Sequence, residues 1–158
     1  MSRSGYSEDG DYDQWSLIKW RGQVTSAIRG KRGQRFLRDL LEALDAMPVK
    51  RLIAHELVER APIGPEHWGL HEFTGEVCAI GSLAARRGVR VDDLDPDDGD
   101  HRERLASRFG IAEQLVAEVE WENDEAGWND TPEGRWVRVR KWVASQIKTD
   151  LGREALAE

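Results

Sequence analysis

Gly33-Gln34-Arg35-Phe36-Leu37-Arg38-Asp39-Leu40-Leu41-Glu42-Ala43-Leu44-Asp45-Ala46-Met47-Pro48 carries the strongest helical rhythm in the chain. Phe36, Leu37, Leu40, Leu41, Leu44 and Met47 recur at three- and four-residue intervals, which puts them on one side of a helix that Pro48 stops. Upstream, Leu17, Trp20, Val24, Ala27 and Ile28 repeat at the same spacing. They mark a first helix with Asp13 as its N-cap and Gly30 at its end. The two segments read as an antiparallel helical hairpin, with the second helix starting near Gly33.

The pattern continues beyond Pro48 with one interruption. Arg51 to Val58 is too short for a helix and holds β-branched residues, so it reads as a strand. Ala61 to Gly75, with Pro62, Gly64, Pro65 and Gly69, reads as an ordered loop or the return arm of a hairpin. A short helix over Val77–Arg87 follows, with Gly88 as C-cap. Asp95 as N-cap and Pro96 at the first helical position start a fourth helix that runs to about Phe109, where Gly110 breaks it. Ile111, Leu115, Val116 and Val119 mark a fifth. Thr131-Pro132-Glu133 opens a sixth, with Trp136, Val139, Val143 and Ile147 on its apolar side and Arg135, Arg138, Lys141 and Lys148 opposite. The expected fold is mainly α: a single compact helical domain over 13–149 of about six helices, with a minor β-hairpin around residues 50 to 75. Residues 1–12 read as a polar N-terminal tail, and 150–158 as a frayed C-terminus.

A chain of 158 residues, 39% hydrophobic and with seven tryptophans, can bury a core without staples. Its one cysteine, Cys78, permits no internal disulfide, and the start lacks a secretory apolar run, so a reducing cytoplasm is expected. No apolar stretch approaches the roughly 20 residues of a membrane span.

The net charge of −7 conceals a segregation. Lys19, Arg21, Arg29, Lys31, Arg32, Arg35 and Arg38 lie in a stretch without an acid, whereas Ile111 to Asp130 holds Glu113, Glu118, Glu120, Glu122, Asp124, Glu125 and Asp130 without Lys or Arg. One-sign blocks of this kind attract partners at long range. Six aspartates between Asp92 and Asp100 form a second acidic block. They fail as a calcium loop, because Asp98 stands where the turn needs glycine and Arg104 where it needs glutamate. His67 and His71 have helical ligand spacing, but in a Pro/Gly-rich segment. No metal or other cofactor is expected.

Three sets of residues carry candidate functions. Glu118, Glu122, Asp124 and Glu125, with Trp121 and Trp128 as anchors, form a candidate surface for a basic host protein. Arg29, Lys31, Arg32 and Arg35 around the first interhelical turn form a candidate phosphate or nucleic-acid site, although Gly30-Lys31-Arg32-Gly33 is not a P-loop. Near a helix C-terminus these cations are also simply good dipole partners. Cys78, with a base from His55, His67 or His71 and an orienting Asn123 or Asp124, has the residue types of a thiol hydrolase or transferase.

Met1-Ser2-Arg3-Ser4-Gly5-Tyr6, the run Trp20-Arg21-Gly22 through Ala27-Ile28-Arg29-Gly30-Lys31-Arg32-Gly33-Gln34, Phe36-Leu37-Arg38 to Met47-Pro48, Cys78-Ala79-Ile80-Gly81 and Thr131-Pro132-Glu133 together resemble a family of small proteins of bacteriophages and prophages, functionally uncharacterised. The pairing of Cys78-Ala79-Ile80-Gly81 with Asn123-Asp124 is also similar to a small actinobacterial domain of unknown activity. The chain departs from the phage pattern at Ala61 to Phe73. What the resemblance implies is provenance and not mechanism; with the charge segregation it sets the expectation of a non-enzymatic binding protein in the host cytoplasm that inhibits or regulates a host component, such as a defence system.

Overall fold

Helix α1 (Gln14–Arg29) and helix α2 (Lys31–Ala46) are joined through Gly30 alone. The structure, a computed structural model, describes residues 14–62 and 71–149, with backbone only at 60–62 and 71–74. Asp13, the 1–12 tail, His67, Trp68 and the 150–158 C-terminus fall outside the described residues. After α2 come strands β1 (Val58–Pro62) and β2 (His71–Val77), then α3 (Ala79–Arg87), α4 (His101–Phe109), α5 (Glu113–Asp124) and α6 (Pro132–Gln146). Among the described residues the protein is mainly α, six helices with one two-stranded antiparallel sheet.

The apolar stripe of α2 lies at the centre of the core. Phe36, Leu37, Leu40 and Leu44 are at most 1% exposed, and Leu41 and Met47 pack at the edge. α2 rests on α1, α3 and α6. A second buried helix, α5, contributes Leu115, Val116 and Val119 and packs on α1, α3, α4 and α6. Phe36 meets Phe109 of α4 edge to face, ring centres 5.8 Å apart, the geometry that aromatic quadrupoles favour. The stripe of α1 is only partly covered: Val24 is buried, whereas Leu17, Trp20, Ala27 and Ile28 are half-buried.

The joint between α1 and α2 is tight because of two residues. Gly33 is buried against the end of α1, and a Cβ there would stand 1.8 Å from the Ala27 carbonyl oxygen. Gln34 is 5% exposed; its Nε2 donates to the carbonyls of Ile28 (2.8 Å) and Gln146 (2.9 Å), and its Oε1 accepts from the Lys148 amide at 2.8 Å. One side chain thus satisfies carbonyls at the ends of α1 and α6, which have no acceptor role left inside their own helices.

The hairpin sits further along the chain than the apolar run suggests. Arg51–Leu57 is irregular, and its backbone groups are satisfied by distant partners instead of a ladder. The Leu52 amide donates to Pro132 O at 3.0 Å and the Ile53 amide to Val77 O at 3.1 Å, while the Arg135 side chain donates to Leu52 O at 2.7 Å. The strands pair Val58 with Val77 and Arg60 with Phe73, so β2 carries extra residues in between, and Gly75 takes φ +89° in that bulge.

Cap chemistry is realised at three helix ends and displaced at a fourth. Gly88 and Gly110 end α3 and α4 in the left-handed conformation, and Thr131 Oγ1 accepts from the Gly134 amide at 3.0 Å. α4, however, starts at His101 and not at Pro96. Asp95 Oδ1 accepts from the Asp97 amide at 3.0 Å and Asp95 O from the Asp98 amide at 3.1 Å, so this aspartate closes a turn and the chain bends again before α4.

Candidate functional site

The acidic helix was expected to face solvent; it lies in the core. Glu118 and Glu122 are only 2% and 9% exposed. Glu120, Glu122, Asp124 and Asp130 are answered from neighbouring elements. Glu120 Oε1 is 2.6 Å from His101 Nε2 and its Oε2 accepts from Arg102 Nε at 2.8 Å. Arg138 of α6 reaches Asp130 at 2.5 Å and Glu122 at 3.9 Å. Asp124 Oδ1 accepts from the His55 amide at 3.0 Å. Trp121 is half-buried, and Trp128 is 92% exposed on the turn before α6. Glu118, Glu122, Asp124, Glu125, Trp121 and Trp128 therefore do not form one open anionic face, because burying α5 required its acids to be paired inside. The Asp92–Asp93 pair is likewise engaged, Arg90 with Asp92 and Arg108 with Asp93. Among the described residues no three His, Cys, Asp or Glu side chains are grouped to hold a metal ion.

The cations of the first joint are disposed differently. α2 begins at Lys31, two residues earlier than its apolar rhythm indicates, so Lys31 and Arg32 are in its first turn and Arg35 is one turn on. Of the four candidates only Arg29 lies at a helix C-terminus, the end where a cation is favourable. At an N-terminus the partial charge is positive. Lys31 and Arg32 there, with no acid in the first turn and no side-chain cap at Gly30, oppose the dipole. Lys31, Arg32 and Arg35 are exposed and form no ion pair among the described residues.

They line a cleft of about 460 Å³ whose walls are Phe36, Phe109, Gly110, Asp39 and Arg87. Its single acid is occupied, because Asp39 pairs with Arg87 and the Arg87 guanidinium also lies 5.9 Å from the Phe109 ring centre. What remains is a concave surface that offers cationic donors. Burial of α5 and pairing of its acids with Arg102 and Arg138 leave this positive territory uncancelled.

Cys78, Asn123 and Asp124 do converge, with His55, in a second cleft; the His71 side chain lies outside the described residues. Cys78 is the N-cap of α3. Its Sγ accepts from the Gly81 amide at 3.4 Å, and a Cβ on Gly81 would meet Leu57 O at 2.1 Å, so the helix start is packed hard against the 57–58 segment. Asn123 Oδ1 accepts from the Ala79 amide at 3.1 Å, and its Nδ2 donates to Ile53 O at 2.8 Å and Asp124 Oδ1 at 2.7 Å. The Cys-Ala-Ile-Gly and Asn-Asp elements are thus two halves of one tie between α3, α5 and the 53–55 segment. Burial is the main force that pushes the Cys78 thiol up, to about 12, and Asp124 and Glu120 add to it. A thiol held neutral is not a nucleophile. Native protein at pH 7.5 is therefore expected to resist iodoacetamide and to label promptly only after urea unfolding; rapid labelling of the native chain would reverse this assignment.

His101 and Glu120 line the same cleft as Cys78, and sequence reading did not single them out. Spacing offered no signal, since His101 is the first residue of α4 and Glu120 sits near the end of α5. Comparison with protein-family models, with curated proteins and with solved structures gives no match.

Proposed function

We propose that the protein is a non-enzymatic binding protein whose working surface is the cationic cleft at the α1–α2 joint, and that it holds the phosphate backbone of a nucleic acid. The observation that carries this reading is the grouping of Lys31 and Arg32 in the first turn of α2 with Arg35 one turn on, none of the three in an ion pair among the described residues. Such an arrangement opposes folding of that turn and becomes favourable once an anion is bound. Phosphate suits it better than the carboxylates of a protein surface, because it presents several acceptor oxygens to closely spaced guanidinium and ammonium donors. Phe36 and Phe109 are buried, so no aromatic ring of the cleft is open for base stacking, and contact is to the backbone irrespective of sequence. Inhibition or regulation of a host component, in a phage or prophage setting, rests on the resemblance of the sequence alone.

Fluorescence anisotropy with short labelled duplex and single-stranded DNA tests the proposal. Binding to duplex is expected to weaken with a log–log salt slope of about −3, as three to four phosphate contacts imply. The Arg32→Glu/Arg35→Glu variant, altered only at exposed positions, should retain its circular dichroism and lose affinity at least about tenfold. Absence of binding at about 50 mM salt, or an affinity indifferent to the double variant, removes the reading.

A further inference from the structure

We infer that the cationic surface runs out of the cleft and across α2 to the end of α6, and that this band fits double-stranded DNA, one backbone at each end of the band. The inference rests on the nucleic-acid assignment of the cleft and extends it. The cleft supplies one end through Lys31, Arg32 and Arg35. The other end is assembled from three places far apart in sequence: Arg29 at the end of α1, Arg38 two turns into α2, and Lys148 just after α6.

Contacts join the two ends. Lys31 and Arg35 are four residues apart on α2, and Arg35 and Arg38 three apart, so the three are neighbours on its solvent face, where all are exposed. The Arg38 guanidinium reaches Lys148 O at 3.4 Å, and Lys148 Nζ donates to Arg29 O at 2.9 Å. The backbone at Lys148 is fixed in turn by the buried Gln34, whose Oε1 accepts from the Lys148 amide at 2.8 Å and whose Nε2 donates to Gln146 O at 2.9 Å. One buried side chain thus sets both the α1–α2 joint and the outer end of the band.

This outer end has donors to spare. An ammonium carries three N–H groups and a guanidinium five, and Lys148 and Arg38 each spend one on a carbonyl that ends a helix. Capping of that kind leaves their charge without a counter-charge. Arg29, Arg38 and Lys148 form no ion pair among the described residues, and the carboxylates further along α2 are taken: Asp39 by Arg87, Glu42 by Arg86 and Asp45 by Arg140. Six cations gathered without a carboxylate repel one another, and a polyanion relieves that repulsion.

Two features select a double helix over a single strand. Single strands are held largely by stacking of their bases on open aromatic rings, and the rings of the cleft are buried. A duplex keeps its bases stacked on each other and needs only donors for its phosphates. The second feature is span. Arg32 in the cleft and Lys148 beyond Arg38 stand on either side of α2, a helix about 10–12 Å in diameter with its side chains. The major groove of B-form DNA is about 12 Å wide, with a phosphate backbone along each edge. The phosphate contacts of a duplex are therefore divided between the two ends of the band, whereas a single strand engages one end.

The test is fluorescence anisotropy of the full chain with a labelled DNA duplex and, separately, with each of its strands. The wild-type protein is expected to bind the duplex at least about tenfold more tightly than either strand at about 50 mM salt. Arg38→Gln/Lys148→Gln, altered only at exposed side chains, should weaken duplex binding by about tenfold and flatten its log–log salt slope from about −3 to about −1, with affinity for the strands unchanged. Lys19→Gln/Arg21→Gln removes the same charge from exposed positions of α1 outside the band, and should change duplex binding by less than about threefold. Circular dichroism establishes that both variants are folded; should the first not be, Arg38→Gln alone carries the test with about half the change in slope. If neither duplex nor strand binds the wild-type protein, the nucleic-acid assignment falls and this inference with it. If DNA binds, but the strands bind as tightly as the duplex, an RNA duplex of the same length binds more tightly, or the Arg38/Lys148 variant is no weaker than the α1 control, the cleft acts alone and the inference is overturned.

Discussion

Gly33→Ala is expected to destabilise the protein by about 3 kcal/mol or more, at the upper end of what overpacking costs. The added Cβ would stand 1.8 Å from Ala27 O and 2.9 Å from Ala27 C. Both are backbone atoms, so no rotamer change relieves the clash, and α1 must move away from α2. That movement also breaks the Gln34 bonds to Ile28 O, Gln146 O and the Lys148 amide, which couple the joint to the end of α6. Urea denaturation followed by circular dichroism gives the measurement. Gly22→Ala is the control: it lies in the interior of α1 with nothing within 4 Å of the added methyl, and there alanine should stabilise by about 0.5–1 kcal/mol. If the two variants shift the midpoint in the same direction by similar amounts, the close approach at the joint is not what holds α1 in place.

The second large effect is at Asn123. It is 2% exposed, and its amide joins the first amide of α3, the carbonyl of Ile53 and Asp124. Asn123→Ala leaves the buried Ala79 amide and the half-buried Ile53 carbonyl without these partners, and should cost about 2–4 kcal/mol. Asn123→Asp is the sharper test. It retains an acceptor for the Ala79 amide but has no donor for Ile53 O while ionised, and it sets a second negative charge beside Asp124. Its deficit should exceed that of a neutral isostere at pH 7 and shrink as the pH falls, because the protonated carboxyl regains a donor. A pH-independent loss below about 1 kcal/mol in both variants would mean that the tie between α3 and α5 contributes little. The same Asn123→Ala variant should expose Cys78, so faster iodoacetamide labelling is an independent sign that the tie has opened.

The positions that sequence read well are governed by short-range rules. The stripe of α2, the glycine C-caps at 88 and 110 and the Thr131-Pro132 start all depend on residues within about one turn of each other, and all stand where periodicity and cap chemistry put them. The strand expected at Arg51–Val58 did not form there, because distant groups on residues 77, 132 and 135 take its backbone donors and acceptors. The cap expected at Asp95 was misread for a related reason: an aspartate followed by proline closes an isolated turn as readily as it starts a helix. Among the candidate site residues, Cys78, Asn123 and Asp124 line one cleft. Their meeting is architectural, and the pair that makes their cleft chemically unusual, His101 and Glu120, has no local signature.

By itself the sequence determined a mainly helical chain with its central apolar stripe on α2, and a sharp division of charge along its length, since both follow from which residue types recur at which spacing. Only the tertiary structure decided which charge remains on the outside. The acidic segment reads as a solvated helix until its neighbours are known; packed on four other helices, its carboxylates must find Arg102, His101 and Arg138, because an unpaired charge in the interior is too costly to keep. The basic joint has no such partners at hand, and its cations stay in water with their field uncancelled.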